Sequence, residues 1–167
     1  MAVSNLTAGE LKAGDAAPDF SLRDDAGVVH HLKEYRGKIV ALYFYPKDDT
    51  PGCTAEACNL RDNYEALKKA GVVILGVSYD DAESHQKFKK KYDLPFALLS
   101  DVDKKTAEAY GAKGMLTGFM VAQRKTFLID ENGKILHIFN KVKTDDHARQ
   151  ILEVLAKRDT ADSEGNK

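Results

Sequence analysis

The amino-acid sequence predicts an α/β fold, with a mixed central sheet that carries helices on both faces. Residues 39–45 are apolar without interruption, which is typical of a strand buried on both sides. A helical pattern and a second apolar run over residues 72–78 follow, and together they predict a right-handed βαβ unit. The pair Asn132-Gly133, between two further apolar segments, is a strong hairpin signal. With 167 residues, of which 43% are hydrophobic, the chain is long enough for one domain.

The N-terminal part is predicted to form a β-hairpin at the edge of this sheet. An extended lead-in over residues 1–14 precedes two short strands, over residues 20–22 and 28–30. The turn-forming segment 24–27 joins them.

The remaining elements alternate between helix and strand. The first helix is predicted over about residues 54–70, because Gly71 stops the helical pattern. Asp80 or Asp81 can cap the second helix, and Pro95 forces extended chain after it. The later predictions are, in order, a helix ending near residue 92, a strand over 96–99, a helix over 103–110, a glycine-rich loop over 111–118, strands over 125–129 and 134–139, and a helix over 145–156.

This order of elements matches the thioredoxin-like fold with an N-terminal extension and an insertion. A single domain is predicted over residues 1–157. Residues 158–167 are polar and are predicted to form a flexible C-terminal tail. A fold by itself does not establish a function, so individual residues have to indicate it.

The composition excludes several kinds of partner. Lys and Arg number 25 against 26 Asp and Glu, and the charges are mixed, so there is no basic stripe for nucleic acid. No apolar stretch approaches the roughly 18–20 residues of a membrane span, and residues 1–6 lack the features of a signal peptide. We therefore expect a cytoplasmic protein that acts on a small molecule or another protein, without a membrane partner.

The two cysteines, Cys53 and Cys58, are expected to be redox-active. In a reducing compartment, cysteines are more often catalytic than structural, and two cannot complete a tetrahedral zinc site alone. The five histidines show no ligand spacing that would complete one, so no metal is expected.

Cys53 lies where a strand, a Pro/Gly loop and a helix meet. At a helix N-terminus, unpaired N–H groups and the positive end of the helix dipole favour a thiolate over a neutral thiol. The apolar stripe of this predicted helix consists of Ala57, Leu60, Tyr64 and Leu67. Cys53 lies near the centre of that stripe and is predicted to point toward the body of the protein. The alternative is a small buried residue without reactivity.

Cys58 follows five positions later, about 140° around a helix and roughly 7.5 Å along its axis. If both cysteines are helical, their Cα atoms exceed the limit of about 7 Å for a disulfide. Bridging them therefore requires the first helical turn to unwind. The alternative for Cys58 is an inert helix position.

Two further residues can contribute to a site around Cys53. Thr50 lies three residues before it, so the threonine hydroxyl can accept from the thiol or donate to a thiolate or a bound oxygen. Arg124 stands just before a predicted strand, and its guanidinium could stabilise a thiolate. Taken singly, Thr50 is better explained as an ordinary turn residue and Arg124 as a solvated charge at the edge of a strand.

The group together is more specific. The pattern P-x-x-x-T-x-x-C at residues 46–53, followed by R-x-T-F at residues 124–127, resembles the peroxiredoxin active site. The segment C-T-A-E-A-C at residues 53–58 resembles the bacterioferritin comigratory protein or peroxiredoxin Q branch, with an atypical two-cysteine arrangement. Almost the whole chain fits, from Gly14 through the terminal helix.

The resemblance implies roles for these residues. Cys53 would be the peroxidatic cysteine, with Thr50 and Arg124 orienting the peroxide and activating the thiolate. Pro46 would shield the pocket from water, and Cys58 would be the resolving cysteine that forms an intramolecular disulfide with Cys53. In addition, Glu56 resembles the residue that positions the arginine, although a first-turn acid is also favoured by the helix dipole alone.

The implied activity is a thiol-dependent peroxidase in antioxidant defence and redox homeostasis, which reduces hydrogen peroxide and organic hydroperoxides. The implied reductant is thioredoxin or a similar dithiol, the implied state is a monomer or weak homodimer, and no cofactor is implied. One alternative is a general thiol–disulfide oxidoreductase, although the spacing is Cys-x4-Cys rather than Cys-x-x-Cys. Another is a peroxide-sensing redox protein or chaperone without enzymatic activity.

Overall fold

The uninterrupted apolar run forms the central strand β3 (Ile39–Phe44), all of whose residues are buried. Its side chains alternate between the two faces of a sheet, as the period of two requires. Ala41 and Tyr43 pack into one hydrophobic cluster, and Val40 and Leu42 pack into the other. The structure, a computed structural model, describes residues 10–165.

The other strands and the helices of this part of the chain follow in alternation. The remaining strands are β1 (Ser21–Asp24), β2 (Val29–His31), β4 (Val72–Ser78), β5 (Ala97–Ser100), β6 (Lys113–Leu116), β7 (Phe119–Ala122), β8 (Lys125–Ile129) and β9 (Ile135–Phe139). The helices are α1 (Pro51–Asp62), α2 (Tyr64–Lys69), α3 (Ala82–Tyr92), α4 (Lys105–Ala109) and α5 (His147–Gly165), with a 3₁₀ helix over Leu32–Tyr35.

Seven strands form one mixed sheet in the order β2-β1-β5-β4-β3-β8-β9. Strand β4 runs parallel to both β3 and β5, as in a βαβ unit, whereas β8 pairs antiparallel with β3 and with β9. The predicted N-terminal hairpin is confirmed, since β1 and β2 pair antiparallel and β2 lies at the edge. The mixed central sheet is therefore confirmed.

Helices cover both faces of the sheet, as predicted. Side chains of α1, α2, α3 and α5 pack into the cluster that contains Tyr43, and those of α4 and the 3₁₀ helix pack into the cluster that contains Leu42. Helices α1 and α5 therefore lie on the same face of the sheet, the one that carries Tyr43, next to the end of β3. That arrangement brings the start of α5 close to the residues of α1.

Three boundaries differ from the sequence-based expectation. The helix predicted over 54–70 begins earlier, with Pro51 in its first turn, and divides at Asn63, whose side-chain amide donates to the Asn59 carbonyl. The terminal helix continues to Gly165 instead of ending near residue 156, so the first part of the predicted flexible tail is helical. Arg158 anchors this extension through two hydrogen bonds to Glu131, of 2.9 and 2.7 Å.

The predicted glycine-rich loop over 111–118 is wrong for its middle part, because residues 113–116 form strand β6. Strands β6 and β7 pair antiparallel around Thr117 and Gly118, both with positive φ angles of 49° and 82°. Two consecutive residues of that kind make a tight two-residue hairpin turn, which matches the twist of the flanking strands. Gly118 therefore marks a hairpin turn instead of an irregular loop.

Some expectations fall outside the described part of the chain. The predicted lead-in over residues 1–14 is described only from residue 10, and the last two residues of the predicted tail lie beyond it. Among the described residues, no helix is long and apolar enough to cross a membrane.

Candidate active site

The first turn of α1 carries Cys53 beneath the surface of the protein. Thr50 precedes the helix in extended conformation, and Pro51 follows, where its missing N–H costs no helical hydrogen bond. Cys53 is 1% exposed and packs in the same cluster as Ala57 and Leu60. The prediction that Cys53 points toward the body of the protein is confirmed.

Arg124 links Cys53 to a buried carboxyl group. Its Nη2 lies 3.3 Å from Cys53 Sγ, and its Nη1 donates to Glu56 Oε1 at 2.8 Å. Glu56 has no exposed surface, so the two bonds hold the guanidinium over the helix start. Gly52 leaves room for this approach, because an added Cβ would meet Arg124 Nη2 at 3.0 Å. The structure thus brings together three of the residues singled out in the sequence.

Burial and charge set the protonation of this cluster. Burial raises the pKa of Glu56 to about 7, although the charge and hydrogen bond of Arg124 act in the opposite direction. Burial also disfavours the charged form of Arg124, but Cys53 and Glu56 outweigh it and raise the arginine pKa. Arg124 therefore stays a cation, while Glu56 can gain or lose a proton near neutral pH.

Thr50 and Pro46 line a pocket of about 540 Å³ that also reaches Arg124. The Thr50 hydroxyl donates to the Lys47 carbonyl oxygen at 2.8 Å. A hydroxyl has a single proton, so this bond leaves its lone pairs to accept from a thiol or a peroxide O–H. The donor role that the sequence also allowed for Thr50 would require the hydroxyl to rotate.

The β6–β7 hairpin supplies the apolar wall of the same pocket. Leu116, Phe119 and Met120 line it, and their side chains are 58%, 73% and 49% exposed. Large exposed apolar side chains beside a polar pocket favour contact with apolar groups. The pocket therefore has a polar floor at Thr50 and Arg124 and an apolar rim.

Cys58 lies in α1 together with Cys53, and both thiols are free. Cys58 is partly exposed, whereas Cys53 is buried. Five helical residues separate their Cα atoms by about 7.5 Å along the axis alone, which is beyond disulfide range. With α1 intact, the two sulfur atoms cannot bond.

Sequence reasoning missed a buried ion pair that holds the loop between β3 and α1. Asp48 accepts hydrogen bonds from the Tyr45 hydroxyl (2.6 Å), the Ser84 hydroxyl (2.8 Å) and His85 Nδ1 (2.7 Å). His85 Nε2 lies 3.0 Å from the Leu99 carbonyl oxygen. Because both ring nitrogens face acceptors, both carry protons and the ring is an imidazolium. No sequence spacing indicates this pair.

His85 gives an expected pH dependence of stability. Burial disfavours its charged form, but the hydrogen bond and charge of Asp48 prevail and raise its pKa. A raised folded-state pKa stabilises the protein fully below the unfolded value of about 6.5, and this stabilisation is lost as the pH rises through the folded value. We expect His85→Gln to cost about 3 kcal/mol near pH 6 and less near pH 9, by urea unfolding.

The control for this measurement is His137→Gln, at an exposed position of β9. Its cost in unfolding free energy should not shrink with rising pH. If the cost of His85→Gln were the same at both pH values, the imidazolium–carboxylate pair would be contradicted.

Comparison with known proteins places this site in a family. The family model described as the AhpC/TSA family matches residues 13–138. A protein of Coxiella burnetii named putative peroxiredoxin bcp is 49% identical over 146 residues, which are 85% of this chain and 97% of the relative. The chain belongs to the AhpC/TSA family, in its Bcp/Q peroxiredoxin branch. It is a thiol-dependent peroxidase, an oxidoreductase, and proteins of the peroxiredoxin family use peroxide substrates and thioredoxin-type reductants.

Two further relatives agree with this assignment. A rice protein named peroxiredoxin Q, chloroplastic, is 43% identical and covers 91% of this chain and 70% of its own length. The crystal structure of peroxidoxin BcpB from Mycobacterium tuberculosis superposes with a TM-score of 0.82 at 33% identity, covering 89% of this chain and 98% of that one. The predicted thioredoxin-like fold is confirmed by this likeness, and the peroxidase is favoured over the two alternatives.

Proposed function

We propose that Cys53 is the peroxidatic cysteine of this peroxiredoxin. The contact between Arg124 Nη2 and Cys53 Sγ is the observation that carries the proposal, because a fixed cation 3.3 Å from the sulfur favours the thiolate. The thiolate attacks the terminal oxygen of a hydroperoxide, and the O–O bond breaks as the S–O bond forms. Cys53 becomes a sulfenic acid, and the leaving alkoxide or hydroxide takes up a proton as an alcohol or water.

The neighbouring residues stabilise and orient the reacting oxygens. Arg124 donates to the oxygens on which negative charge develops, and Glu56 holds the guanidinium in position. The Thr50 hydroxyl accepts from the peroxide O–H, which turns the terminal oxygen toward sulfur. Pro46 at the pocket wall shields the sulfur from water.

Cys58 completes the cycle as the resolving cysteine. Its thiol condenses with the Cys53 sulfenic acid, which forms the intramolecular disulfide and releases water. A thioredoxin-like dithiol then reduces this disulfide by exchange and returns both thiols. The order of the two steps fits the contacts of Cys53, since Arg124 Nη2 lies 3.3 Å from its sulfur and favours the reactive thiolate there.

Cys58→Ser tests this division of roles. The first oxidation step should proceed at nearly the wild-type rate, because the Arg124 side chain bonds to Cys53 and Glu56, and Cys58 is not among the residues that line the pocket. Disulfide formation should stop, so sulfenic acid should accumulate and pass on to sulfinic acid as peroxide rises, as seen by mass spectrometry. Recycling by thioredoxin at the wild-type rate in this variant would show that another group resolves the sulfenic acid.

Disulfide formation should also unfold the start of α1. Melting one or two turns loses only a few intrahelical hydrogen bonds, each worth about 1 kcal/mol net, so local opening suffices. Amide hydrogen exchange over residues 54–61 should therefore rise in the disulfide form, while β4 stays protected. Equal protection of residues 54–61 in both redox states would mean that the cysteines reach each other without unwinding.

The pocket supports both hydrogen peroxide and organic hydroperoxides as substrates. Its apolar rim at Leu116, Phe119 and Met120 can contact the organic group while Arg124 and Thr50 bind the peroxide oxygens. We further propose a cytoplasmic monomer or weak homodimer that serves antioxidant defence. Sedimentation of the reduced protein across a range of concentrations tests the oligomeric state.

A further inference from the structure

A buried histidine that no step above uses lies next to Glu56. His147, the first residue of α5, is fully buried, and its Nε2 lies 2.8 Å from Thr126 Oγ1 and 3.8 Å from Glu56 Oε2. Glu56 Oε1 is bonded to Arg124, but Oε2 has no hydrogen-bond partner among the described residues. A buried carboxylate oxygen without a donor is costly, so Oε2 requires a proton of its own or one supplied by a neighbour.

Gln150 determines which nitrogen of His147 always carries a proton. Gln150 Oε1 accepts from the Lys143 N–H at 3.0 Å, and its Nε2 donates to the Lys141 carbonyl at 3.2 Å. The amide oxygen therefore faces His147 Nδ1, at 2.8 Å. Since an amide oxygen only accepts, Nδ1 is the protonated nitrogen. The nitrogen that can gain or lose a proton is Nε2, which lies within hydrogen-bond distance of the Thr126 hydroxyl and at ion-pair distance from Glu56 Oε2.

We propose that His147 is a positioning residue for the peroxide reaction, which shares one buried proton with Glu56 and so leaves Arg124 to pair with the Cys53 thiolate. The inference rests on the proposed roles of Cys53 and Arg124. With the shared proton on either Oε2 or Nε2, the Glu56–His147 pair is neutral, and one guanidinium serves one thiolate. Without it, two buried anions share a single guanidinium, and both the thiolate and the reacting oxygens are less stabilised.

The groups around Glu56 agree with a single shared proton. Arg124, before β8, donates to its Oε1, His147 of α5 lies 3.8 Å from its Oε2, and its charge acts on Tyr43 of β3. Cys53 of α1 contacts Arg124, and Thr126 of β8 contacts His147. Burial raises the pKa of Glu56 to about 7 against the opposing effect of Arg124. Burial, partly opposed by the hydrogen bond of Gln150 and reinforced by the charge of Arg124, lowers the pKa of His147 to about 4. Between about pH 4 and about pH 7 the pair therefore holds one proton, mainly on Glu56, and it loses that proton as the pH rises through about 7.

The rate constant for oxidation of Cys53 should carry the signature of this proton. In the wild type, the second-order rate constant with hydrogen peroxide is expected to fall as the pH rises through the midpoint of the pair. This decline of the rate constant on the alkaline side of the pH profile, called the limb below, is the part that His147 controls.

Two variants should move that limb in different ways. His147→Gln places an amide donor near Oε2, which favours the ionised Glu56, so the rate constant should drop about tenfold near pH 6.5, or about 1.4 kcal/mol. It should approach the wild-type value above about pH 8.5, where the wild type has also lost the proton. Gln150→Glu places a carboxylate at Nδ1, which makes the ring more basic and should shift the limb to higher pH.

The outcomes separate a positioning role from a packing role. Stopped-flow measurement from pH 5.5 to 9.5 should show no shift of the limb in the control His137→Gln. A rate loss of the same factor at every pH in both variants, or an unmoved limb in Gln150→Glu, would overturn the proposal. If His147→Gln does not fold, Gln150→Glu decides alone, because its side chain is partly exposed. Failure of the Cys53 assignment would look different, since the wild type itself would then lack rapid oxidation at Cys53.

Discussion

Replacing Cys53 with serine is expected to abolish peroxidase turnover, since a serine hydroxyl stays protonated at neutral pH and cannot accept the peroxide oxygen as sulfur does. The substitution removes one sulfur atom and little volume from a site that is 1% exposed, so the fold should survive. A thioredoxin-coupled assay with hydrogen peroxide measures the loss.

The matched control is Cys58→Ser, which changes the other cysteine of the same helix. It should retain one rapid oxidation per molecule, whereas Cys53→Ser should show none. Peroxidase turnover that persists in Cys53→Ser would remove the basis of the proposed mechanism.

Arg124→Ala is expected to slow the oxidation of Cys53 by about 10²-fold or more, equivalent to about 2.7 kcal/mol of transition-state stabilisation. The variant loses both the contact with Cys53 Sγ and the donor for the developing charge. Glu56 would then be buried without its partner, but it can take up a proton, which limits the loss of stability. The second-order rate constant from stopped-flow fluorescence, with circular dichroism as a check of folding, measures the effect.

Two other arginine variants define the cause of that loss. Arg124→Lys keeps the positive charge but not the two-pronged geometry that bridges Cys53 and Glu56, so it should recover only part of the rate. Arg149→Ala removes an exposed arginine of α5 whose ion pairs lie at the surface, and should leave the rate unchanged. A wild-type rate constant in Arg124→Ala would return Arg124 to the status of a solvated charge.

The parts of the fold that the sequence predicted are those that local patterns determine. Consecutive residues of the chain are enough to predict the apolar strands β3 and β4 and the Asn132-Gly133 turn between β8 and β9. The β6–β7 hairpin was missed, although Thr117-Gly118 between apolar pairs is the signal that could have indicated it. The length of α5 was missed because polar residues after Ala156 carry no apolar stripe, and an ion pair with Glu131 supports the helix there.

In the active site, too, local features could be predicted from the sequence, whereas contacts between distant residues could not. The position of Cys53 at a helix start follows from its neighbours in the chain, but its contact with Arg124 joins residues 71 apart and required the resemblance to a family. The pairs Asp48–His85 and Glu56–His147 had no local pattern at all. Partners of this kind are set by the packing of α3 and α5 against the sheet, which a single sequence does not encode in any short spacing.

The central claim is that Cys53 reacts with the peroxide and Cys58 then bonds to it. The most direct measurement mixes the reduced wild-type protein with one equivalent of hydrogen peroxide or of an alkyl hydroperoxide in a stopped-flow instrument. Quenched samples are then analysed by mass spectrometry of the peptides that carry the two cysteines. The account predicts sulfenic acid on Cys53 first, followed by its conversion to a Cys53–Cys58 disulfide without further peroxide. Oxidation that begins on Cys58, or slow oxidation of both thiols at the rate of a free cysteine, would contradict it.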